Sequence, residues 1–335
     1  MSIVHSPTHL PVFHHIAKNA GTYVLSWAQM LCRKYHMMRG DNRSWHWTSA
    51  KIRRGLITLI DGRQLTIIYF TPTDLTGSNL GIFSLIPGLE QESKDDKRRL
   101  VLNAQLNYIN GLYPSGGDEV TNIIPEEDFL NFIKNGDVIP FCVIIDPMDS
   151  GWKEARLYID KILEASKRNS CLYFTVLRNP YNRAQSLFHY LKGEESSHEP
   201  THNLIQAKSF QDYIQSDEIE DSWFLRSILD MPNDQVIEPY HLTLTDEWLR
   251  HFRISDTSKV DDLINNVFHG AYGILQSDVE DHIVKSNLHR NATPNKLTIK
   301  FEDLDPTVQQ NFLDRTYWDR KLWERYCKNV DIPQT

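Results

Sequence analysis

Lys18, Gly21 and Thr22 lie close together, just beyond a short apolar run in which Val12 and Phe13 lead to Ile16. The run reads as a strand, the small residues after it as a tight turn, and the stretch from about Thr22 as a helix. The first amides of a helix have no internal partner and carry the positive end of the peptide dipole, so such a turn takes an anion. Lys18 adds a full positive charge, the Thr22 hydroxyl adds a donor, and Gly21 lets backbone approach a ligand closely. This is chemistry for a phosphate or a sulfate. A second set begins at Arg178, directly after the apolar run CLYFTVL (171–177). Pro180 suits the first turn of a following helix, and Ser186 falls eight residues after Arg178. An arginine fork with a serine hydroxyl, beyond the carboxyl end of a strand, suits a terminal phosphate.

These groups need a scaffold that puts loops at strand ends. Val24, Ala28, Leu31, Tyr35 and Met38 recur at helical spacing until Gly40 ends the pattern. LTIIYF (65–70), PFCVIID (140–146, with Pro140 at its first position) and CLYFTVL read as strands buried on both faces. Residues 152–168 read as an amphipathic helix. Alternating strands and helices of this kind predict an α/β fold, a three-layer P-loop-like sandwich with a central parallel sheet and helices on both faces. Residues 41–63 are mixed, with Trp45 and Trp47 flanking His46, and 71–135 are rich in Gly, Asn, Pro and Ser. The expectation is one domain over 1–335, with 41–135 an insertion and 194–335 a largely helical C-terminal part. Within that part, the apolar AYGIL precedes a capping box, Ser277–Glu280, and Asp305-Pro306 opens a helix with a cap and a proline in its first turn.

Composition narrows the partners. The chain has 335 residues, 40% of them hydrophobic and 24% charged, as in a soluble globular protein. No apolar run is long enough to span a bilayer, and the N-terminus lacks a basic stretch followed by an apolar one. Absence of a membrane and a cytoplasmic location are therefore expected. The formal charge of −8 speaks against nucleic acid as partner. Cys32, Cys142, Cys171 and Cys327 are widely spaced and read as buried free thiols rather than disulfides or metal ligands.

The turn is not the nucleoside-triphosphate loop GxxxxGK[ST], because its lysine precedes the glycine by three residues. HIAKNAGT (15–22) instead resembles the 5′-phosphosulfate loop of sulfotransferases that use 3′-phosphoadenylyl sulfate (PAPS), closest to the carbohydrate, heparan 2-O type branch, whose loop reads roughly HIPKTAGT. His15, Ile16, Lys18, Ala20, Gly21 and Thr22 match, while Ala17 and Asn19 replace the Pro and Thr. RNPYNRAQS (178–186) resembles the same family's 3′-phosphate motif RDPxxRxxS, with Arg178, Pro180, Arg183 and Ser186 in register and Asn179 for the Asp. The missing aspartate is expected to affect turn geometry more than binding. AYGIL with the Ser277–Glu280 box looks like the family's strand–turn–helix of the type VGLTE, and YWDRKLWERY (317–326) is similar to its terminal D-x-x-L-Y helix through Asp319 and Leu322, with Trp323 for the Tyr. On this resemblance the 41–135 insertion would lie on the acceptor side.

The resemblance implies transfer of a sulfuryl group from PAPS to an acceptor hydroxyl, carbohydrate or other small molecule, with 3′-phosphoadenosine 5′-phosphate (PAP) as product and no metal. Lys18, Asn19, Ala20, Gly21, Thr22 and Tyr23 would hold the 5′ end, Arg178 and Ser186 the 3′-phosphate, and Lys296, in the polar loop RNATPNK (290–296), a further part of the nucleotide. Lys18 would also stabilise charge on the departing phosphate oxygen. No motif fixes the base that takes the acceptor proton; His15, His46 and His189 are the candidates. Two other readings stay open: a nucleotide-dependent small-molecule kinase, for which no Walker lysine stands in place, and a non-catalytic nucleotide- or glycan-binding protein on the same scaffold.

Overall fold

A computed structural model of the chain describes residues 9–16, 19–21, 23–25, 27–28, 31, 43–49, 52–58, 64–70, 126–145, 152–193, 205–216, 222–232, 234–273 and 299–328. The strands are β1 (His9–His14), β2 (Arg43–Ser49), β3 (Ile52–Thr58), β4 (Gln64–Phe70), β5 (Val138–Ile145), β6 (Ser170–Leu177) and β7 (Phe252–Asp256). They form one sheet in the order β2-β3-β4-β5-β1-β6-β7. The labelled helices are α1 (Glu126–Asn135), α2 (Trp152–Ser166), α3 (Pro180–Lys192), α4 (Phe210–Gln215), α5 (Trp223–Leu229), α6 (Pro239–Leu249), α7 (Val260–Tyr272), α8 (Pro306–Arg315) and α9 (Tyr317–Trp323). The described residues of 21–31 are helical as well. This is an α/β fold. Among the described residues, no helix is long and apolar enough to cross a membrane.

The parallel core is where the apolar runs predict it. β1 and β5 pair in parallel with Val12 opposite Val143, and β4 and β5 pair in parallel with Ile68 also opposite Val143. β5 is buried nearly throughout, as a strand flanked on both sides must be. It starts earlier than expected, at Val138, which leaves Pro140 inside the strand. The ladder answers with a register shift: Thr66 faces Pro140, but Ile67 faces Cys142. A proline has no N–H to give the ladder, and a bulge beside it absorbs the loss. Residues 43–58, mixed in the sequence reading, add an antiparallel meander in which β2 pairs with β3 and β3 with β4.

Two compact units make up the chain: 1–15 with 24–174 and 264–288, and 16–23 with 175–263 and 289–335. The first holds an aromatic core. Phe13 meets Phe174 at 5.0 Å between ring centroids, and Phe141 stacks on Phe268 at 5.2 Å and on Tyr272 at 4.7 Å. Buried Arg168 donates to the His9 carbonyl at 3.2 Å and to the Pro140 carbonyl, tying the starts of three strands together. Cys142 is buried and free, and burial pushes its thiol far above the ordinary range. Cys171 and Cys327 are also free thiols, pushed up to about 11 and about 12, chiefly by burial. Ala271 and Tyr272 close α7, and Gly273 follows in the left-handed region at φ 69°. AYGIL therefore does not begin a strand. Ser277 and Glu280 lie outside the described residues.

The second unit is mostly helical. Ala184, Phe188 and Leu191 give α3 one apolar face, which packs with Phe210 and Tyr213 of α4 and Val308 and Phe312 of α8. Asp305 opens α8 as expected, its carboxylate accepting from the Thr307 amide at 2.8 Å with Pro306 in the first turn.

Candidate functional site

The residues brought together belong to the second unit. The turn after β1 is closed by the Asn19 amide, which donates to the Ile16 carbonyl at 3.0 Å. Ala20 takes the left-handed conformation at φ 63°, and Gly21 is already helical. The backbone freedom expected of Gly21 is thus demanded of Ala20, at a strain of about 1 kcal/mol. Asn19 is only 2% exposed, and its side-chain amide donates to the Val176 carbonyl of β6 at 3.0 Å. Its Oδ1 is buried with no hydrogen-bond partner among the described residues. The Tyr23 hydroxyl donates to Asp261 Oδ1 of α7 at 2.5 Å, which turns that side chain to a partner within the protein.

Val176 stands two residues before Arg178, so the Asn19 bond joins the turn to the strand end that carries the arginine. Arg178 is half-buried. Burial pulls its guanidinium below the ordinary value, and the charge of Asp256 works the other way. Asp256 ends β7, the neighbour of β6 in the sheet. Its carboxylate accepts from the Trp323 indole N–H at 2.9 Å and from the Ser258 amide at 2.9 Å. Burial works to raise the Asp256 carboxyl, but Trp323, Ser258 and Arg178 together hold it below the usual carboxylate range.

Asn179 is the N-cap of α3: its Oδ1 accepts from the amides of Tyr181 at 3.0 Å and Asn182 at 3.3 Å, and Pro180 fills the first helical position. Ser186 is half-buried on α3 and makes no hydrogen bond among the described residues. The same helix is tied down elsewhere, because Tyr181 Oη and Gln185 Nε2 both donate to the Ile299 carbonyl, at 3.0 and 2.7 Å. Arg183 has a different task. Its guanidinium lies 4.3 Å from the Trp223 ring centroid, where it also faces Asp319. Asp319 is buried and accepts from the Phe224 and Leu225 amides at 2.9 and 3.0 Å, capping α5. Burial raises its carboxyl in spite of those two bonds and the charges of Arg183 and Arg226.

Among the proton-acceptor candidates, His15 is half-buried, stacks on Phe13 at 5.8 Å, and sends its amide to the Ile145 carbonyl at 2.7 Å. His189 is half-buried in the last turn of α3, beside Phe188. His46 falls on β2 opposite Arg54, and its side chain lies outside the described residues. Lys18, Thr22 and Lys296 lie outside them too. Sequence reasoning missed Asp256 and Trp323 as companions of Arg178. The tryptophan in place of the expected tyrosine was a signal, since an indole N–H is a donor only; Asp256 carried none.

A half-buried guanidinium, a serine hydroxyl that makes no hydrogen bond among the described residues and a strained turn entering a helix together suit a ligand with separated anionic groups. No protein-family model and no curated protein sequence matches the chain.

Proposed function

We propose that the protein is a PAPS-dependent sulfotransferase that passes the sulfuryl group to an acceptor hydroxyl. The observation that carries the reading is the bond from Asn19 to Val176, which ties the turn resembling a 5′-phosphosulfate loop to the strand that delivers Arg178. Arg178 and Ser186 are the partners for the 3′-phosphate, and the turn from Asn19 to Tyr23, with Lys18 and Thr22, is the partner for the 5′ end. Lys296 is a further contact on the nucleotide. The charge of Asp256 favours the protonated guanidinium of Arg178, which a dianionic phosphate entering there needs as its donor.

In the reaction, the bond between sulfur and the bridging phosphate oxygen breaks, and that oxygen keeps the electron pair as PAP departs. The acceptor oxygen forms the new bond to sulfur and gives its proton to a base, for which His15, His46 and His189 are the candidates. Lys18 and the turn amides stabilise the charge on the departing phosphate.

Calorimetric titration of the wild-type chain tests the reading, with PAP against ATP and magnesium. Binding of PAP tighter than ATP, and unchanged by EDTA, is the expected result. ATP binding that exceeds PAP and needs magnesium would replace the sulfotransferase with a kinase.

A further inference from the structure

Asn19 stands where the resembled loop has threonine, and its side chain departs from the loop altogether to reach β6. The amide nitrogen donates to the Val176 carbonyl at 3.0 Å, while the same residue's backbone N–H closes the turn on Ile16 at 3.0 Å. One residue thus holds both the shape of the turn and its attachment to the strand end, two residues short of Arg178. The attachment is buried, so water does not compete for it. It also has a feature that folding alone does not reward: Oδ1 is enclosed without a hydrogen-bond partner among the described residues, and an orphaned buried acceptor destabilises. The next residue, Ala20, is held at φ 63°, a conformation that persists only where its surroundings enforce it.

We infer that Asn19 is a positioning residue: the strut from its side chain to Val176 sets the separation between the 5′ and 3′ anion sites, and so makes the protein selective for a nucleotide phosphorylated at both ends. The inference rests on the nucleotide reading above. Two phosphates on one ribose bind as a linked pair, and the advantage of the pair over either alone depends on how well the two sites match the ligand's fixed span. Without the strut, the turn and the strand end each keep their own donors, but the span between them spreads. Affinity for a monophosphate is then nearly unchanged, whereas the added affinity from the second phosphate shrinks.

The test measures the affinity ratio of PAP to 5′-AMP in the wild type, in Asn19→Ala and in Asn19→Leu. The leucine keeps the branched outline of the asparagine side chain without its donor or acceptor, so it fills the space that alanine leaves as a cavity. The expected result is a wild-type ratio well above one that falls by about tenfold in both variants, the worth of one buried hydrogen bond, with 5′-AMP affinity held within about twofold. A merely structural role lowers the melting temperature and leaves the ratio alone. If the wild type prefers PAP and both variants keep that preference, the strut is wrong and the sulfotransferase reading stands. A wild type that does not distinguish PAP from 5′-AMP removes the nucleotide reading and this inference with it.

Discussion

Asp256 is the residue whose surroundings were least visible beforehand. It is held by the Trp323 indole, the Ser258 amide and the charge of Arg178, and together these overcome the burial that would raise its carboxyl. A carboxyl lowered on folding contributes stability that is complete above its ordinary value of 3.8 and is lost as pH falls through the lower folded value. The stability difference between wild type and Asp256→Asn is therefore full above about pH 5 and shrinks as the pH falls below 3.8 through the lower folded value. Urea unfolding across that range checks it, and a difference that grew in acid would mean that Asp256 is strained rather than supported. Arg183 carries the opposite lesson. It fits the resembled motif as well as Arg178 does, yet it stacks on Trp223 and faces the buried Asp319, so a place in a motif does not by itself decide what an arginine does.

At the scale of elements, α3 shows how a substitution in a motif can be absorbed. Asn179 stands where the resembled motif has an aspartate, and as N-cap it makes the bonds that either side chain could make. Asn179→Ala is expected to destabilise by about 1 kcal/mol in denaturant unfolding, whereas Asn179→Asp should match or slightly exceed wild type, since a negative charge suits a helix start. This much was legible: β4, α2, β6, α3 and α8 follow from apolar runs, caps and prolines in their own sequence. The meander was not. Arg43–Ser49 and Ile52–Thr58 mix charges, tryptophans and a glycine, and such segments become strands only because β4 offers an edge to pair with. β7 is five residues long, too short for alternation to announce it. AYGIL misled because its first two residues complete the apolar face of α7 before Gly273 ends the helix.

At the scale of the whole molecule, two motifs about 160 residues apart converge on one unit through a hydrogen bond that no local pattern foretells, from Asn19 to Val176. The sequence suggested candidates for anion contacts, but tertiary contact decided what lies beside them: the charge of Asp256 at Arg178, a strand carbonyl at Asn19 and, among the described residues, no hydrogen bond at Ser186. The central claim is that Arg178 reads a 3′-phosphate. Titrating wild type and Arg178→Ala with PAP and with 5′-AMP tests it most directly, because 5′-AMP reports whether the variant's remaining site is intact. The expected outcome is a loss of about a hundredfold for PAP, as when one partner of a buried charge-assisted pair is removed, with 5′-AMP affinity unchanged. Equal losses for both nucleotides, or no loss for either, would contradict the assignment of Arg178 to the 3′-phosphate.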